Sequence, residues 1–223
     1  MNKLNVILTG ATGMVGEGVL FECIENPQVE SILIVTRKPS GVSHPKVKEI
    51  IHQDFSKAEP IKEQLKGYNA CFFCLGVSSI GMKEEEYYKL TYTLTLGFAK
   101  TLSEASPDVC FCYVSGAHTD STEKGRSMWA RIKGKTENDL AKLPFRATYN
   151  FRPGMMKPTK GQKRVLSAYK YVGWLYPVIK TFFPKAACTI KEVALAMIHV
   201  SLKGYSKKNM EVSDIMAAAK TSV

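Results

Sequence analysis

Three glycines spaced three residues apart follow a short apolar run near the start of the chain, and this pattern limits the fold more than any other. The run covers residues 6–9, and Gly10, Gly13 and Gly16 come after it. An apolar run that stops at a glycine and continues with helical periodicity predicts a strand, a tight turn and a helix. The unpaired N–H groups at the start of such a helix bind phosphate, and glycines leave the backbone open to it. The pattern therefore predicts a phosphate-binding turn, with a purely structural glycine-rich turn as the alternative.

The position of this turn also indicates which ligand carries the phosphate. The G-x-x-G-x-x-G spacing departs from the G-x-G-x-x-G fingerprint of dinucleotide-binding turns, but it has the same place between a strand and a helix. We therefore expect the turn to bind the pyrophosphate of a dinucleotide cofactor. The cofactor-binding residues predicted in the turn are Gly10, Thr12, Gly13, Met14, Val15 and Gly16.

The rest of the chain alternates apolar segments with helical ones. The apolar segments are residues 31–36, 47–53, 69–75, 109–114 and 147–151, and the helical ones are residues 14–26, 56–65, 84–102, 128–143 and 189–202. Continuous apolar segments are typical of parallel strands that are buried on both faces. The 223 residues therefore predict an α/β fold with a doubly wound parallel sheet, as a single domain over 1–223. A last short strand at 211–213 and a frayed tail are expected at the end.

Several candidate cofactor contacts lie where the predicted strands end, which is where ligands bind in such sheets. The strand at 31–36 ends in Arg37, about 20 residues after the glycines. An acid at this place binds the ribose 2′-hydroxyl of NAD, whereas a basic residue accommodates the 2′-phosphate of NADP. The sequence therefore favours NADP over NAD, with an ordinary basic loop as the alternative. The other residues predicted on the cofactor side are Asp54, Phe55, Leu75, Gly76, Pro153 and Gly154.

The net charge of +11 predicts an anionic partner, and a phosphorylated cofactor meets that need. Nucleic acid would meet it too, but no nucleic-acid-binding motif is recognisable, so none is predicted as a partner. No run of 18 uncharged apolar residues and no secretory signal is visible, so we expect no transmembrane segment and a cytoplasmic protein.

The six cysteines do not predict a metal site. Cys71 and Cys74 form the only C-x-x-C pair, but they fall on a predicted strand, where residues three apart point to opposite faces. Cys110 and Cys112 share one strand face and are expected to be small core residues. No histidines follow at zinc-ligand spacing, so we predict reduced cysteines and no metal.

Five short motifs together resemble the short-chain dehydrogenase/reductase superfamily, in its extended and atypical, epimerase-like branches. The motifs are residues 9–16, 75–76, 114–117, 133–137 and 152–154, and the match covers nearly the whole chain. The segment 133–137 also looks like that of the oxidoreductase-like family related to the Tat-interacting protein. The resemblance implies a Rossmann-type fold, NADP as the cofactor, and a small carbonyl or sugar-nucleotide substrate.

The resemblance further implies a catalytic serine, tyrosine and lysine. Ser115 matches the serine that orients the substrate oxygen, and Lys133 matches the lysine that binds the nicotinamide ribose. The tyrosine would stand four residues before the lysine, where this chain has Trp129. An indole N–H donates a hydrogen bond but is no acid near neutral pH, so the usual proton donor is missing. The other groups considered as a proton donor are His118, Tyr87, Tyr88, Tyr92 and a water held by Ser115 and Lys133.

Two functional hypotheses follow from this substitution. The first is an NADP-dependent oxidoreductase or epimerase-like enzyme, and the second is a non-catalytic NADP-binding sensor or interaction protein. The resemblance places a substrate-covering segment at about 155–190. Aromatic residues with interspersed lysines occupy 165–184, which fits a cover over the cleft, a homodimer face or peripheral contact with a membrane surface.

Overall fold

The computed structural model describes residues 3–165, 176–183 and 185–221. Its strands are β1 (Leu4–Thr9), β2 (Val29–Thr36), β3 (Val47–Ile51), β4 (Ala70–Phe73), β5 (Cys110–Val114), β6 (Ala147–Arg152), β7 (Met155–Lys157), β8 (Ala187–Thr189) and β9 (Asn209–Glu211). Seven of them form one sheet in the order β3-β2-β1-β4-β5-β6-β9, and every pairing in it is parallel. The predicted doubly wound parallel sheet is therefore confirmed. Strands β7 and β8 form a separate parallel pair that the sequence did not predict.

The helices are α1 (Met14–Glu25), α2 (Glu84–Tyr88), α3 (Leu94–Ala105), α4 (Met128–Leu140), α5 (Tyr176–Phe182), α6 (Ile190–Lys203) and α7 (Val212–Lys220). A 3-10 helix covers Glu59–Leu65, and a π-helical turn, Lys89–Thr93, joins α2 to α3. A single helix was predicted over residues 84–102. The π turn interrupts it, because its backbone hydrogen bonds join residues five apart and those of an α-helix join residues four apart. No helix in the described parts of the chain is both long and apolar enough to cross a membrane.

The two faces of the sheet carry separate apolar clusters because side chains alternate along each strand. Val6 and Leu8 of β1 pack with residues of α1, α6 and α7 on one face, whereas Ile7 packs with residues of α3 and the 3-10 helix on the other. Cys71 belongs to the second cluster and Cys74 contacts the first, so the prediction that they point to opposite faces is confirmed.

The end of the chain corrects one prediction. Residues 212–220 form α7, where the sequence analysis expected a frayed tail. Ile215 and Ala218 of this helix are fully buried in the first apolar cluster, so tertiary packing orders a segment whose local pattern is short. The last strand also ends earlier than expected, at Glu211.

Candidate functional site

Backbone crowding explains the glycines of the first turn. Gly10 has a φ of +73°, and a Cβ there would lie 2.6 Å from the carbonyl oxygen of Cys74. A Cβ on Gly16 would clash with the carbonyl group of Gly10, so the start of α1 can approach the turn only because this side chain is absent. Gly13 is exposed at the N-terminus of α1. The turn thus presents bare backbone at a helix N-terminus, as the sequence predicted.

A cleft of about 510 Å³ opens beside this turn, and we call it the glycine-turn cleft. Three cationic side chains border it, and the described residues that line it include no aspartate or glutamate. The lining residues are Gly10, Thr12, Val35, Thr36, Arg37, Lys38, Pro39, Gln53, Phe55, Leu75 and Arg164. An uncompensated cluster of positive charge of this kind favours an anionic ligand.

The structure divides the predicted cofactor residues into those that border this cleft and those that do not. Gly10, Thr12, Arg37, Phe55 and Leu75 border it. The predicted residues outside its lining are Gly13, Met14, Val15, Gly16, Asp54, Gly76, Lys133, Pro153 and Gly154.

Asp54, which the sequence predicts beside the adenine, takes part in a local turn. Its carboxylate accepts hydrogen bonds from the backbone N–H of Ser56 at 3.0 Å and from the Ser56 hydroxyl at 2.6 Å. Both bonds lower the pKa of Asp54, and the bond from the hydroxyl has the larger effect. An aspartate side chain that accepts a bond from the backbone two residues on is typical of such a turn.

The predicted catalytic residues Ser115, Trp129 and Lys133 come together at the end of β5. The Lys133 ammonium donates to the carbonyl oxygen of Ser115 at 3.1 Å. The Ser115 hydroxyl is buried and lies 3.0 Å from that of Thr119. Trp129 stands on the same face of α4 as Lys133, four residues away, and its indole ring comes within 3.7 Å of a Cβ built on Gly116.

The side chain of Lys133 is only partly exposed, and burial lowers the pKa of its ammonium to about 8. The ordinary value is 10.5, so between about pH 8 and pH 10.5 the unfolded chain binds the proton more tightly than the folded chain does. Stability from this residue therefore increases as the pH rises through that window.

A comparison of the wild type with Lys133→Met tests this pH dependence. We expect the free energy of unfolding of the wild type, relative to the variant, to increase between pH 8 and pH 10, as measured by urea unfolding at each pH. Lys133→Arg keeps its charge over this range and serves as the control. A difference that stays flat from pH 7 to pH 10 would show that the ammonium is not desolvated.

The tyrosines considered as substitute acids are engaged elsewhere. Tyr87 is 1% exposed, and burial raises its pKa. The Tyr92 hydroxyl donates to Asp139 at 2.8 Å, and burial followed by this carboxylate raises its pKa well above the usual range. The Tyr88 ring contacts that of Tyr92 in a tilted arrangement, with 4.7 Å between the ring centroids. The raised pKa values of Tyr87 and Tyr92 make both phenols weaker acids near neutral pH.

His118, the histidine considered as a substitute proton donor, lies in the loop after β5. It is exposed, has a φ of +66° and borders a second, larger cavity of about 930 Å³, which we call the apolar cavity. The cavity lies where β5, β6 and β9 end, and Gly154, with its neighbour Pro153, stands at this end of β6. The lining residues are Ala117, His118, Gly154, Met155, Phe183, Lys185, Ala186, Glu211, Val212 and Ser213.

A buried ion pair fixes the strand ends around Ser115. Arg152 donates to the carboxylate of Glu137 from Nε at 3.1 Å and from Nη2 at 2.5 Å, and the Glu137 side chain is 1% exposed. The same guanidinium contacts Glu211 of β9 at 3.2 Å. It therefore connects β6, α4 and β9, and α4 carries Trp129 and Lys133.

Sequence reasoning missed the segment 159–165, which lies against the start of α1. Glu17 accepts hydrogen bonds from the backbone N–H groups of Lys163 and Arg164, and the Gln162 side chain donates to the carbonyl oxygen of Met14. The only sequence signal was the concentration of basic residues there, which does not indicate where they fold.

The fold and the glycine turn place the chain in the class of Rossmann-type proteins with the architecture of short-chain dehydrogenases and epimerases. A short chain dehydrogenase family protein from Francisella tularensis matches with a TM-score of 0.62 at 17% identity, over 91% of this chain and 92% of that one. The Bordetella bronchiseptica enzyme WbmF, in complex with NAD+, matches with a TM-score of 0.66 at 14% identity, over 96% of this chain and 77% of that one.

Within this class the chain belongs to the FMP52 family. It is 30% identical over 170 residues to the mitochondrial protein fmp52 of Emericella nidulans, and the matched region covers 74% of this chain and 72% of that protein. It is 26% identical over 202 residues to the mitochondrial protein FMP52 of Debaryomyces hansenii, and the matched region covers 89% of this chain and 88% of that protein. No family model matches the chain. The link to the family related to the Tat-interacting protein stays a prediction.

These relatives correct the predicted location. Both are named as mitochondrial proteins, which contradicts the cytoplasmic location expected from the sequence. That expectation depended on the lack of a recognisable secretory signal, which is no evidence against another compartment.

Proposed function

We propose that the protein is an NADP-binding oxidoreductase or epimerase-like protein that acts on a small carbonyl or sugar-nucleotide substrate, with Trp129 in the place of the usual catalytic tyrosine. The observation that carries the proposal is the glycine turn, where added Cβ atoms on Gly10 and Gly16 would meet backbone. Such crowding leaves bare amides at the N-terminus of α1, which is the structure that binds pyrophosphate.

The residues around the turn fit a phosphorylated dinucleotide. Arg37 stands at the end of β2, where a cation suits an adenosine phosphate and an acid would suit a free hydroxyl. Phe55 offers an apolar wall, and Leu75 and Gly76 follow β4 on the other side of the turn. When bound, NADPH supplies a hydride, and its nicotinamide would lie toward Ser115 and Lys133. NAD is the less favoured cofactor, because no acid follows β2.

Ser115, Lys133 and Trp129 define what this chain can do to a substrate. The Ser115 hydroxyl would orient a carbonyl oxygen, and the Lys133 ammonium would bind the ribose and stabilise negative charge. The Trp129 indole N–H would donate a hydrogen bond but no proton. A water between Ser115 and Lys133, or His118, would then supply the proton.

The apolar cavity is the proposed substrate site. Met155, Phe183, Lys185 and Ala186 line it, and all of them lie in the predicted covering segment 155–190. We further propose that the covering segment and the sheet act together as one domain over 1–223. The stretch 166–175, which holds much of the predicted aromatic and basic pattern, lies outside the described residues. Homodimer formation and contact with a membrane surface stay predictions.

The second candidate is an NADP-binding sensor without catalysis, and Trp129 is the observation that favours it. The two candidates differ in turnover. The test is NADPH oxidation with a panel of aldehydes, ketones and nucleotide sugars. Turnover that is lost in Ser115→Ala supports the enzyme, whereas tight NADPH binding without turnover supports the sensor.

Restoring the phenol tests whether the proton donor limits this site. We expect Trp129→Tyr to raise the NADPH-dependent reduction rate by up to about 10²-fold, the lower end of what a positioned general acid contributes. Trp129→Phe is the matched control, because it creates similar space without a hydroxyl. Equal rates in the two variants, with NADPH binding intact, would show that proton transfer is not limiting.

A further inference from the structure

Arg164 borders the glycine-turn cleft although it follows β2 by more than a hundred residues. Its guanidinium donates from Nη1 to the carbonyl oxygen of Thr12 at 3.3 Å and from Nη2 to that of Ser40 at 3.2 Å. Thr12 belongs to the glycine turn, and Ser40 belongs to the loop after β2. The side chain therefore spans the two walls between which a dinucleotide would lie.

The backbone of Arg164 is held independently of its side chain. Its N–H donates to Glu17 at 2.8 Å, and that of Lys163 donates to the same carboxylate at 3.2 Å. Glu17 is 7% exposed, and Gln162 adds a bond of 2.6 Å to the carbonyl oxygen of Met14. Gly18 leaves room for this approach, since a Cβ there would come 2.8 Å from the Gln162 side chain. These bonds hold in place the backbone that carries the Arg164 guanidinium.

The two bonds of the guanidinium are long and end on neutral oxygens. A phosphate binds an arginine with shorter, charge-assisted and often paired hydrogen bonds, so exchange of carbonyl for phosphate would be favourable. Arg37 and Lys38 border the same cleft from the loop after β2. The exposed side chains of Arg37 and Arg164 therefore border one cleft, where both would contact the same phosphate.

We propose that Arg164 binds the adenosine 2′-phosphate together with Arg37 and so sets the preference for the phosphorylated cofactor. This inference depends on the proposed function, because it assigns a second receptor to the same cofactor. It makes the Arg164 side chain part of the cofactor site, on a segment joined to the first turn of α1 through Glu17.

The test is a fluorescence titration of the purified full chain and of Arg164→Ala with NADPH and NADH. We expect the variant to bind NADPH about 10- to 100-fold more weakly, as for the loss of a hydrogen bond to a charged group, and NADH nearly as the wild type does. A second titration with 2′,5′-ADP and 5′-ADP should give the same contrast without the nicotinamide.

Two control variants separate contact from overall charge. Lys163→Ala removes one positive charge from the same segment while keeping its backbone N–H, and it should bind NADPH as the wild type does. Arg164→Lys keeps the charge but loses the paired hydrogen-bond geometry. Its affinity for NADPH should therefore lie between that of the wild type and that of Arg164→Ala. Unchanged NADPH affinity in Arg164→Ala, or an equal loss for NADPH and NADH, overturns this inference alone. If the wild type binds neither dinucleotide, the proposed function fails with it.

Discussion

Gly10→Ala is expected to abolish dinucleotide binding and to lower stability. The native φ of +73° costs a non-glycine residue about 1–2 kcal/mol. The new Cβ would also lie 2.6 Å from the Cys74 carbonyl oxygen, and such overpacking costs about 1–3 kcal/mol more. Relief requires the turn to move away from β4, which displaces the amides that face the phosphate. We expect NADPH affinity to fall more than about 100-fold in a titration, since several charged hydrogen bonds are lost together.

Gly67→Ala separates the strain from the crowding. Gly67 also has a positive φ, of +84°, but nothing lies within 4 Å of a Cβ built there. It precedes β4 and so lies at the amino end of that strand, whereas the cleft lies at the carboxyl ends of the strands. The control should lose stability through its backbone alone and bind NADPH normally. If Gly10→Ala binds NADPH as well as this control does, the turn does not hold the phosphate.

Glu137→Ala is expected to give the largest loss of stability. It leaves the Arg152 guanidinium, whose side chain is 10% exposed, without its buried partner. Removing one member of a buried ion pair costs about 3–5 kcal/mol, because the remaining charge is uncompensated. Since Glu137 and Lys133 share α4, the loss should also disturb the candidate catalytic group. Urea unfolding of the variant and the wild type measures the effect.

The double variant Glu137→Leu with Arg152→Leu distinguishes charge burial from simple loss of contact. Apolar residues in place of both partners remove the uncompensated charge, so part of the lost stability should return. Lys142→Ala, at an exposed ion pair with Asp139, should change stability by less than about 1 kcal/mol. A double variant that is less stable than Glu137→Ala would contradict this explanation.

The sequence predicted the sheet and the glycine turn because both depend on local patterns. The turn needs glycine at Gly10 and Gly16 for steric reasons that act within a few residues or against the adjacent strand, so the spacing alone indicates it. Arg37 comes directly after β2, so its position beside the cleft follows from the strand that precedes it. Buried parallel strands are continuous apolar runs, so β1, β2, β4 and β5 could be predicted from the sequence.

The remaining parts depend on contacts between distant segments. Arg164 reaches the cleft through the hydrogen bonds of Glu17 with a segment about 146 residues away, and no local pattern encodes that. Helix α7 is ordered by packing of Ile215 and Ala218 on the core. The hydrogen bonds between Asp54 and Ser56 are local, but the sequence analysis did not foresee them, and the predicted cofactor contact of Asp54 stays a prediction.

The most direct measurement is the affinity of the purified wild-type chain for NADPH and for NADH, titrated at the same salt concentration. The account predicts saturable binding of NADPH and at least about 10-fold weaker binding of NADH, because NADPH alone carries the additional 2′-phosphate that the cations of the glycine-turn cleft would neutralise. No measurable binding of either dinucleotide would contradict it.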